Sequence, residues 1–577
     1  MIRQAASNRP FRPLSGSEPI RGTRSSYLPE LALSFVIFKR PSIGSIPLCF
    51  LVTFYLLATL NLSFFNDAFN VFGGFHAGFF GFGLAIMFLV AAGLVVLSAK
   101  YLIKPALVFA ILSGAVASYF TDTFGVIIDK EMLRNAAVTT PQEAGHLTTP
   151  PFLLHVLFFG VLPSVLVLLV RVRHRPFFKM LVANTVVVTV LLFGCLGLVL
   201  ANYAGISSNI RQHRDMMAKL TPFSPITSAI SLGVSAFRDA GVVRAPIGLD
   251  ARLGPVIAKS GKPFVTVIVA GETARAMNFS LNGYARETNP ELKALGVFNF
   301  TQTTSCGTAT AVSLPCMFSV YRKTEYTDRK ARSTDTLMDV LHRAGIESVW
   351  WDNNTGSKGI ADLVSFASMT RQKDSVFCRD GECLDDIFLG ELDRKLADVK
   401  RNTTIVLHQA GSHGPAYFQR YPEAFRRFKP DCRTAQLSDC SNEEIVNAYD
   451  NTILYTDHNL AEVIKLLKKH EAEINGAMIY MSDHGESLGE NGLYLHGAPY
   501  MFAPVQQTHV PFITWFTPSY TKVTGLNLTC VQGIAEAPAS HDNLFHTVLG
   551  MMNVVTNVYD RSLDLLAPCR AQASTTL

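Results

Sequence analysis

Charge is scarce in this chain. Lys, Arg, Asp and Glu make only 17% of its 577 residues, against ~25% in soluble domains. Hydrophobic residues reach 49%, and mean hydropathy is positive. This balance excludes a disordered chain and argues against a wholly soluble one. A basic surface is missing as well. The net charge is +6, but residues 1–40 hold Arg3, Arg9, Arg12, Arg21, Arg24, Lys39 and Arg40 against Glu18 and Glu30. That leader accounts for +5, leaving +1 for the other 537 residues. Nucleic acid is therefore not expected as a partner. No C-x₂-C pair occurs, so a structural zinc site built on cysteines is disfavoured.

What the chain has instead is long apolar runs. Five uncharged stretches fill residues 41–66, 71–99, 105–120, 149–170 and 180–209. Each holds or nearly holds the ~20 apolar residues that span a bilayer. Five in succession predict a polytopic helical membrane domain. The long basic leader, with no small-residue cleavage site after the first run, argues against a cleavable signal peptide. The loops set the orientation. The leader, the loop with Lys100 and Lys104, and the loop with Arg171, Arg173, Arg175 and Lys179 are basic. The loop around Asp67 has no Lys or Arg, and the loop through Asp129, Arg134 and Glu143 is mixed. The N-terminus is thus expected in the cytoplasm. Everything past about residue 204 then lies across the membrane, in the periplasm of a bacterium. The expected organisation is a leader over 1–40, a membrane domain over 41–204, a linker over 205–245 and an exported domain over 246–577. The linker, with Ile210, Met216, Met217, Leu220, Phe223 and Ile226 among polar residues, reads equally as a membrane-surface bridge or a plain connection.

Cysteines agree with export. Cys49 and Cys195 fall inside apolar runs, and the other eight lie beyond residue 300. An even number in an exported domain suggests disulfides. The spacings suggest 306–316, 378–383 and 432–440, leaving Cys530 and Cys569. Eight cysteines allow on the order of 100 pairings, so spacing alone does not fix them.

From about residue 246 short β-rich runs (264–270, 347–351, 404–407, 477–481 and 511–516) alternate with helical patterns such as 334–344 and 443–470. Continuous apolar strands between helices predict a parallel sheet covered on both faces. Four strands run into polar residues: Glu272 and Thr273; Asp352, Asn353, Asn354 and Lys358; His408 and His413; Asp483, His484 and Glu486. Open α/β sheets place their sites at these carboxyl ends.

Glu272, Asp483 and His484 offer two carboxylates and an imidazole. That set suits zinc better than manganese or magnesium, and it leaves a fourth position open for chemistry. The segment 305–311 supplies small hydroxyl residues beside glycine, at a possible helix start that favours phosphate. A divalent metal activates such a hydroxyl, but spacing does not choose among Thr308, Thr310 and Ser313. His413 and His496 are placed to protonate a leaving oxygen, and Asn354 and Lys358 to hold phosphate oxygens. The residues alone indicate metal-dependent phosphoryl or sulfuryl transfer.

The runs Gly271–Arg275, Phe279–Tyr284, Ser305–Thr310, Asp352–Asn354, Gly411–Tyr417, Asn447–Asn451 and Ser482–Gly492 resemble the phosphoethanolamine transferases that modify bacterial lipid A. These include the EptA type and the mobile colistin-resistance enzymes. The resemblance runs from about residue 41 to near the end of the chain. It implies an alkaline-phosphatase/sulfatase-like fold, and zinc held by Glu272, Thr310, Asp483 and His484 with Thr310 as nucleophile. It implies substrate-phosphate and neighbouring roles for Thr308, Asn354, Lys358, His413 and His496. His413 and His496 are further implied to help hold a second, weaker zinc. It implies the disulfides Cys306–Cys316, Cys378–Cys383 and Cys432–Cys440, but not a Cys530–Cys569 pair. It also implies phosphatidylethanolamine as donor, a lipid A phosphate as acceptor, a covalent phosphoethanolamine-threonine intermediate, and an inner-membrane enzyme. A monomer among membrane lipids is expected. Kdo or core sugars are the alternative acceptors, and a membrane-anchored phosphodiesterase is the alternative enzyme. A formylglycine sulfatase is excluded, because Cys316 follows Pro315 and precedes Met317 and Phe318 without the C-x-P-x-R motif.

Overall fold

A computed structural model describes residues 40–570 except 372, 373, 375 and 380. The basic leader therefore lies outside the described residues, apart from Arg40. The helical part comprises α1 (Ser45–Thr59), α2 (Leu62–Phe72), α3 (Ala77–Val96), α4 (Ile103–Phe124), α5 (Lys130–Val138), α6 (Pro141–Leu147), α7 (Pro150–Leu169, with a π-helical turn at Val156–Val161), α8 (Phe177–Ala201), α9 (Tyr203–Gln212), α10 (Arg214–Ala218) and α11 (Phe223–Asp239). Four of these, α3, α4, α7 and α8, are long and apolar enough to cross a membrane. The pair α1 and α2, bent by 70°, makes a fifth candidate span.

That bend corrects the first expected run, 41–66. The helix breaks at Asn61, whose amide donates to the Leu56 carbonyl (3.0 Å) and the Thr221 carbonyl (2.8 Å) and accepts from the Thr221 N–H (2.8 Å). Beyond the break α2 is amphipathic. Phe64, Ala68 and Phe72 bury against Phe79 and Phe82, while Asp67 pairs with Lys219 at 2.7 Å. The segment expected as a linker is helical, and its Ile206, Met216 and Leu220 join the same apolar cluster. Burying large apolar side chains contributes about 2 kcal/mol each, which holds this segment to α2 and α3. Many side chains of α8 remain exposed, including Leu181, Val186, Val190 and Phe193. Such an outer face suits lipid.

The catalytic part is built on a seven-stranded sheet: β1 (Phe264–Gly271), β2 (Phe298–Asn299), β3 (Glu347–Asp352), β4 (Ser365–Ser368), β5 (Thr403–His408), β6 (Asn475–Ser482) and β7 (Phe512–Phe516), in the order β2-β7-β6-β1-β5-β3-β4. β6, β1, β5, β3 and β4 are parallel neighbours. β7 is antiparallel to both β6 and β2, so the sheet is mixed and not wholly parallel. The reason is the connection. Between β6 and β7 the chain forms a short strand pair, a 3₁₀ turn at Glu490–Gly492 and a four-residue helix at Val505–Thr508, in place of the long crossover helix that usually joins parallel neighbours.

Every residue of β1 and β6 is buried, because helices cover both faces. Those helices are α12 (Thr310–Met317), α13 (Leu337–Arg343), α14 (Ile387–Ala397), α15 (Asn442–Lys469) and α16 (Asp542–Met551). Side chains alternate across the strand. Val265, Val267 and Val269 join a core with α14 and α15, while Phe264, Ile268 and Ala270 join one with α12, α13 and α16. Four disulfides cross-link this part: Cys306–Cys316, Cys378–Cys383, Cys432–Cys440 and Cys530–Cys569.

The Cys530–Cys569 bridge closes 39 residues, the Cys378–Cys383 bridge only 5. On chain-entropy grounds the longer loop contributes about 4 kcal/mol and the shorter about 2 kcal/mol. Replacing Cys530 and Cys569 by alanine should thus lower the thermal midpoint of the purified protein more than replacing Cys378 and Cys383. Equal or reversed losses in a melting comparison would contradict this account.

Candidate active site

Sheet register assembles the site. Ser482 pairs with Gly271, and His408 pairs with both Ala270 and Asp352. Four strands therefore end at one level, and Glu272, Asp483 and His484 leave β1 and β6 side by side. All three are fully buried. His484 Nε2 lies 3.4 Å from Glu272 Oε1 and 3.4 Å from Asp483 Oδ2. Its Nδ1 meets the Gly485 carbonyl at 2.9 Å. That oxygen only accepts, so Nδ1 carries the proton and the Nε2 lone pair faces the carboxylates. Gly411 lets the backbone close over this cluster. Its φ is +57°, and a Cβ there would stand 2.5 Å from the Glu272 carbonyl.

The three hydroxyls left open by spacing are placed differently. Thr310, the first residue of α12, puts Oγ1 at 3.1 and 3.0 Å from the two Glu272 oxygens and 3.2 Å from His484 Nε2. Thr308 donates instead to the Ala498 carbonyl at 2.6 Å. Ser313 donates to the Asp483 carbonyl.

Two buried carboxylates this close repel unless a cation or proton sits with them. Burial pushes the Glu272 carboxyl up, but the positive charge that His484, His413 and His496 carry when protonated outweighs it and holds the group at about 2. Burial and then the Glu272 charge push Asp483 upward. Asp483 Oδ1 accepts the Thr273 and His484 N–H groups, at 3.2 and 2.7 Å. Oδ2 is buried without a hydrogen-bond partner among the described residues. The ligand atoms of Glu272, Asp483 and His484 lie within 4.8 Å of one another. An orphaned carboxylate oxygen, a second carboxylate and an imidazole lone pair are the donor set of a divalent cation. The residues fit a metal.

The remaining candidates form the rim. Asn354 donates to Glu272 Oε2 and to the Gln409 carbonyl, both at 2.8 Å. Lys358, in the left-handed region at φ +52°, is held by the Thr355 carbonyl (2.9 Å) and hydroxyl (2.6 Å). The His413 and His496 rings lie 5.1 Å apart, and His496 is 4.4 Å from the His484 ring. His496 Nδ1 meets Glu486 Oε2 at 2.9 Å.

Glu143 was not anticipated. It stands on α6, in the loop joining two candidate spans, and its Oε1 lies 3.1 Å from His413 Nε2. A cavity of about 10 Å³ beside Thr310 is lined by Asn135, Val138, Thr139 and Glu143 of that loop, with Asn354, Thr355 and His413. It borders a larger cavity of about 280 Å³ reaching Gln142, Glu382 and Arg420. The helical half thus supplies one wall of the site. The sequence carried one signal, Thr140 three residues before Glu143, whose hydroxyl caps α6 by accepting the Glu143 N–H at 3.2 Å. Asp352 and His408, two of the expected strand-end residues, lie behind this rim. Asp352 meets His408 Nδ1 at 2.7 Å and accepts the Asn354 and Gly356 N–H groups, shaping the loop that carries Asn354.

Comparisons with known proteins bear on the family and the fold. Residues 265–554 match the sulfatase family, and residues 86–236 match the family described as phosphoethanolamine transferase EptA/EptB. The chain is 37% identical to phosphoethanolamine transferase EptA of Escherichia coli K12 over 543 residues, covering 92% of this chain and 98% of that one. It is 36% identical to the E. coli phosphatidylethanolamine transferase Mcr-1, covering 91% and 98%. The solved integral membrane lipooligosaccharide phosphoethanolamine transferase A of Neisseria meningitidis superposes with a TM-score of 0.88 at 34% identity, covering 92% of this chain and all of that one.

The Glu143–His413 pair gives a pH test. Burial lowers the His413 pKa, but the Glu143 charge and hydrogen bond outweigh it and raise it to about 9. Burial raises the Glu143 pKa, and the His413 charge and hydrogen bond outweigh it and hold it at about 2. The stabilisation from His413 is therefore complete below its ordinary value of 6.5 and is lost as pH rises through about 9. In chelator-treated protein, Glu143→Gln should lower the thermal midpoint near neutral pH, with the difference shrinking above pH 9. A deficit constant across that range would refute the pairing.

Proposed function

The chain belongs to the phosphoethanolamine transferases of the EptA and Mcr type, and on that footing we propose that it moves phosphoethanolamine from phosphatidylethanolamine to a phosphate of lipid A through Thr310. The observation that carries the assignment is the convergence of Thr310 Oγ1 with both Glu272 oxygens and His484 Nε2. Neither Thr308 nor Ser313 points its hydroxyl there.

Glu272, Thr310, Asp483 and His484 would hold zinc. Bound there, zinc lowers the pKa of a hydroxyl and offsets charge on phosphoryl oxygens. The protein's own groups do the rest. The Thr310 hydroxyl points its proton at the Glu272 carboxylate. Its oxygen attacks the donor phosphorus, the bond from phosphorus to the diacylglycerol oxygen breaks, and phosphoethanolamine is left on Thr310. The leaving oxygen takes a proton from His413, which Glu143 keeps protonated at neutral pH. Asn354 and Lys358 orient the phosphoryl oxygens. A lipid A phosphate oxygen then attacks the same phosphorus, the bond from phosphorus to Thr310 Oγ1 breaks, Thr310 takes back the proton passed to Glu272, and water reprotonates His413.

Two lipid substrates account for a catalytic domain joined to apolar helices. In this reading residues 41–204 form the inner-membrane part, with a cytoplasmic N-terminus and the loop between α4 and α7 on the periplasmic side. Residues 205–245 bridge to a periplasmic domain over 246–577. The added ethanolamine lowers the negative charge of lipid A and so weakens its attraction for cationic peptides such as polymyxin.

The test is a lipid A mass spectrum from a polymyxin-sensitive host expressing this protein beside a Thr310→Ala control. A gain of one phosphoethanolamine, reduced about a thousandfold or more in the control, is expected. A gain that persists in the control removes Thr310 from the nucleophile role. No gain from folded, membrane-inserted wild-type protein removes lipid A as acceptor.

A further inference from the structure

His541, which none of the motif runs contains, lies between the two halves of the site. Its position follows from a short parallel pairing of Pro538–Ser540 with Gln302–Thr304. The pairing brings the residue after Ser540 beside the loop that leads into Thr310. The side chain is 1% exposed. Its Nδ1 accepts the Cys306 N–H at 3.1 Å, and its Nε2 lies 3.0 Å from the Ser482 carbonyl. Cys306 precedes the nucleophile candidate by four residues, and Ser482 immediately precedes Asp483. Because the Cys306 N–H donates and the Ser482 carbonyl accepts, the ring is fixed in one neutral tautomer, with its proton on Nε2. Burial, above all, holds its pKa down at about 3, so it adds no charge beside the metal ligands. Ser313 Oγ, 3.3 Å from Nδ1, ties α12 to the Asp483 carbonyl. One imidazole thus bonds both the strand end that carries Asp483 and His484 and the loop that carries Thr310.

We propose that His541 is a positioning residue for the transfer reaction, a neutral strut that fixes Thr310 against Asp483 and His484 without touching substrate. This rests on the reading of Thr310 as nucleophile. Both backbone groups it serves are buried, so removing it leaves an unpaired N–H and an unpaired carbonyl. The two segments then lose their shared anchor. A misplacement near 1 Å costs on the order of a hundredfold in rate, whereas substrate binding depends on rim residues that His541 does not contact.

Full-length His541→Phe and His541→Asn, purified in detergent, should be assayed for donor turnover and metal content beside Thr310→Ala. Phenylalanine fills the space without hydrogen bonds. Asparagine restores an acceptor for the Cys306 N–H, and it serves as the test variant if His541→Phe does not fold. The expected result for His541→Phe is kcat reduced about tenfold to a hundredfold, KM for phosphatidylethanolamine within about threefold and metal content unchanged. His541→Asn should recover part of the loss. A kcat within twofold of wild type in a folded variant overturns the proposal. So does a kcat loss matched by loss of metal or by a rise in KM. If Thr310→Ala turns over donor normally, the nucleophile reading fails; if it is inactive while His541→Phe is normal, only the strut fails.

Discussion

The structure turns on the forced proximity of Glu272 and Asp483. Two carboxylates at the ends of neighbouring parallel strands, both fully buried, are not a stable arrangement by themselves. Everything around them answers that repulsion. The Thr273 and His484 N–H groups bind one Asp483 oxygen. The Thr310 hydroxyl and the Asn354 amide bind Glu272. The histidines 413, 484 and 496 bring the Glu272 pKa down. The remaining Asp483 oxygen has nothing in the described residues to bind. A site that collects negative charge in this way suits a cation, and the Thr310 hydroxyl stands where a bound cation would lower its pKa.

Sheet register keeps that proximity in place. Side chains alternate along β1 and β6, so both faces are packed and neither strand slides without reversing every buried residue. The two cores fix strand against helix. Helix α12 then delivers Thr310 from one side, while the loop after β5 delivers His413 from the other. The strained backbone at Thr273 (φ +59°) and Lys358 (φ +52°) falls at the rim of this arrangement. Unfavourable local conformations of this kind persist only where surrounding structure over-determines them.

The helical half does more than anchor. Helices α5 and α6 lie in a loop between two candidate spans, yet they line the cavity beside Thr310 and place Glu143 against His413. Tyr119 at the end of α4 reaches Gln436 of the catalytic part at 3.1 Å, and Gly125 sits where a Cβ would stand 2.7 Å from the Gly492 carbonyl. The site is therefore complete only where the two halves meet. For the proposed transfer between two lipids this is the useful place, because both would arrive from the bilayer.

Much of this was legible in the residues, and the reason is locality. Apolar runs of spanning length, β-rich stretches between helical patterns, and polar residues at strand ends are features of adjacent positions. They located the apolar helices, five strands of the sheet and the trio Glu272, Asp483 and His484 that the fold brings together. They missed the bend at Asn61, because its cause is a hydrogen bond to Thr221, 160 positions away. They gave β7 the wrong direction, since strand direction depends on the connection and not on composition. They could not separate Thr310 from Thr308 and Ser313, which lie in one short segment and differ only in where the fold points each hydroxyl. Glu143 and His541 stayed hidden for the same reason. Their partners, His413, Cys306 and Ser482, are brought near by loop docking and by a three-residue strand pairing. By itself the sequence determined which chemical groups stand at which strand ends. Only the tertiary structure decided which of them meet, because hydrogen-bond and metal-ligand distances of a few ångströms are set by register and packing between distant segments.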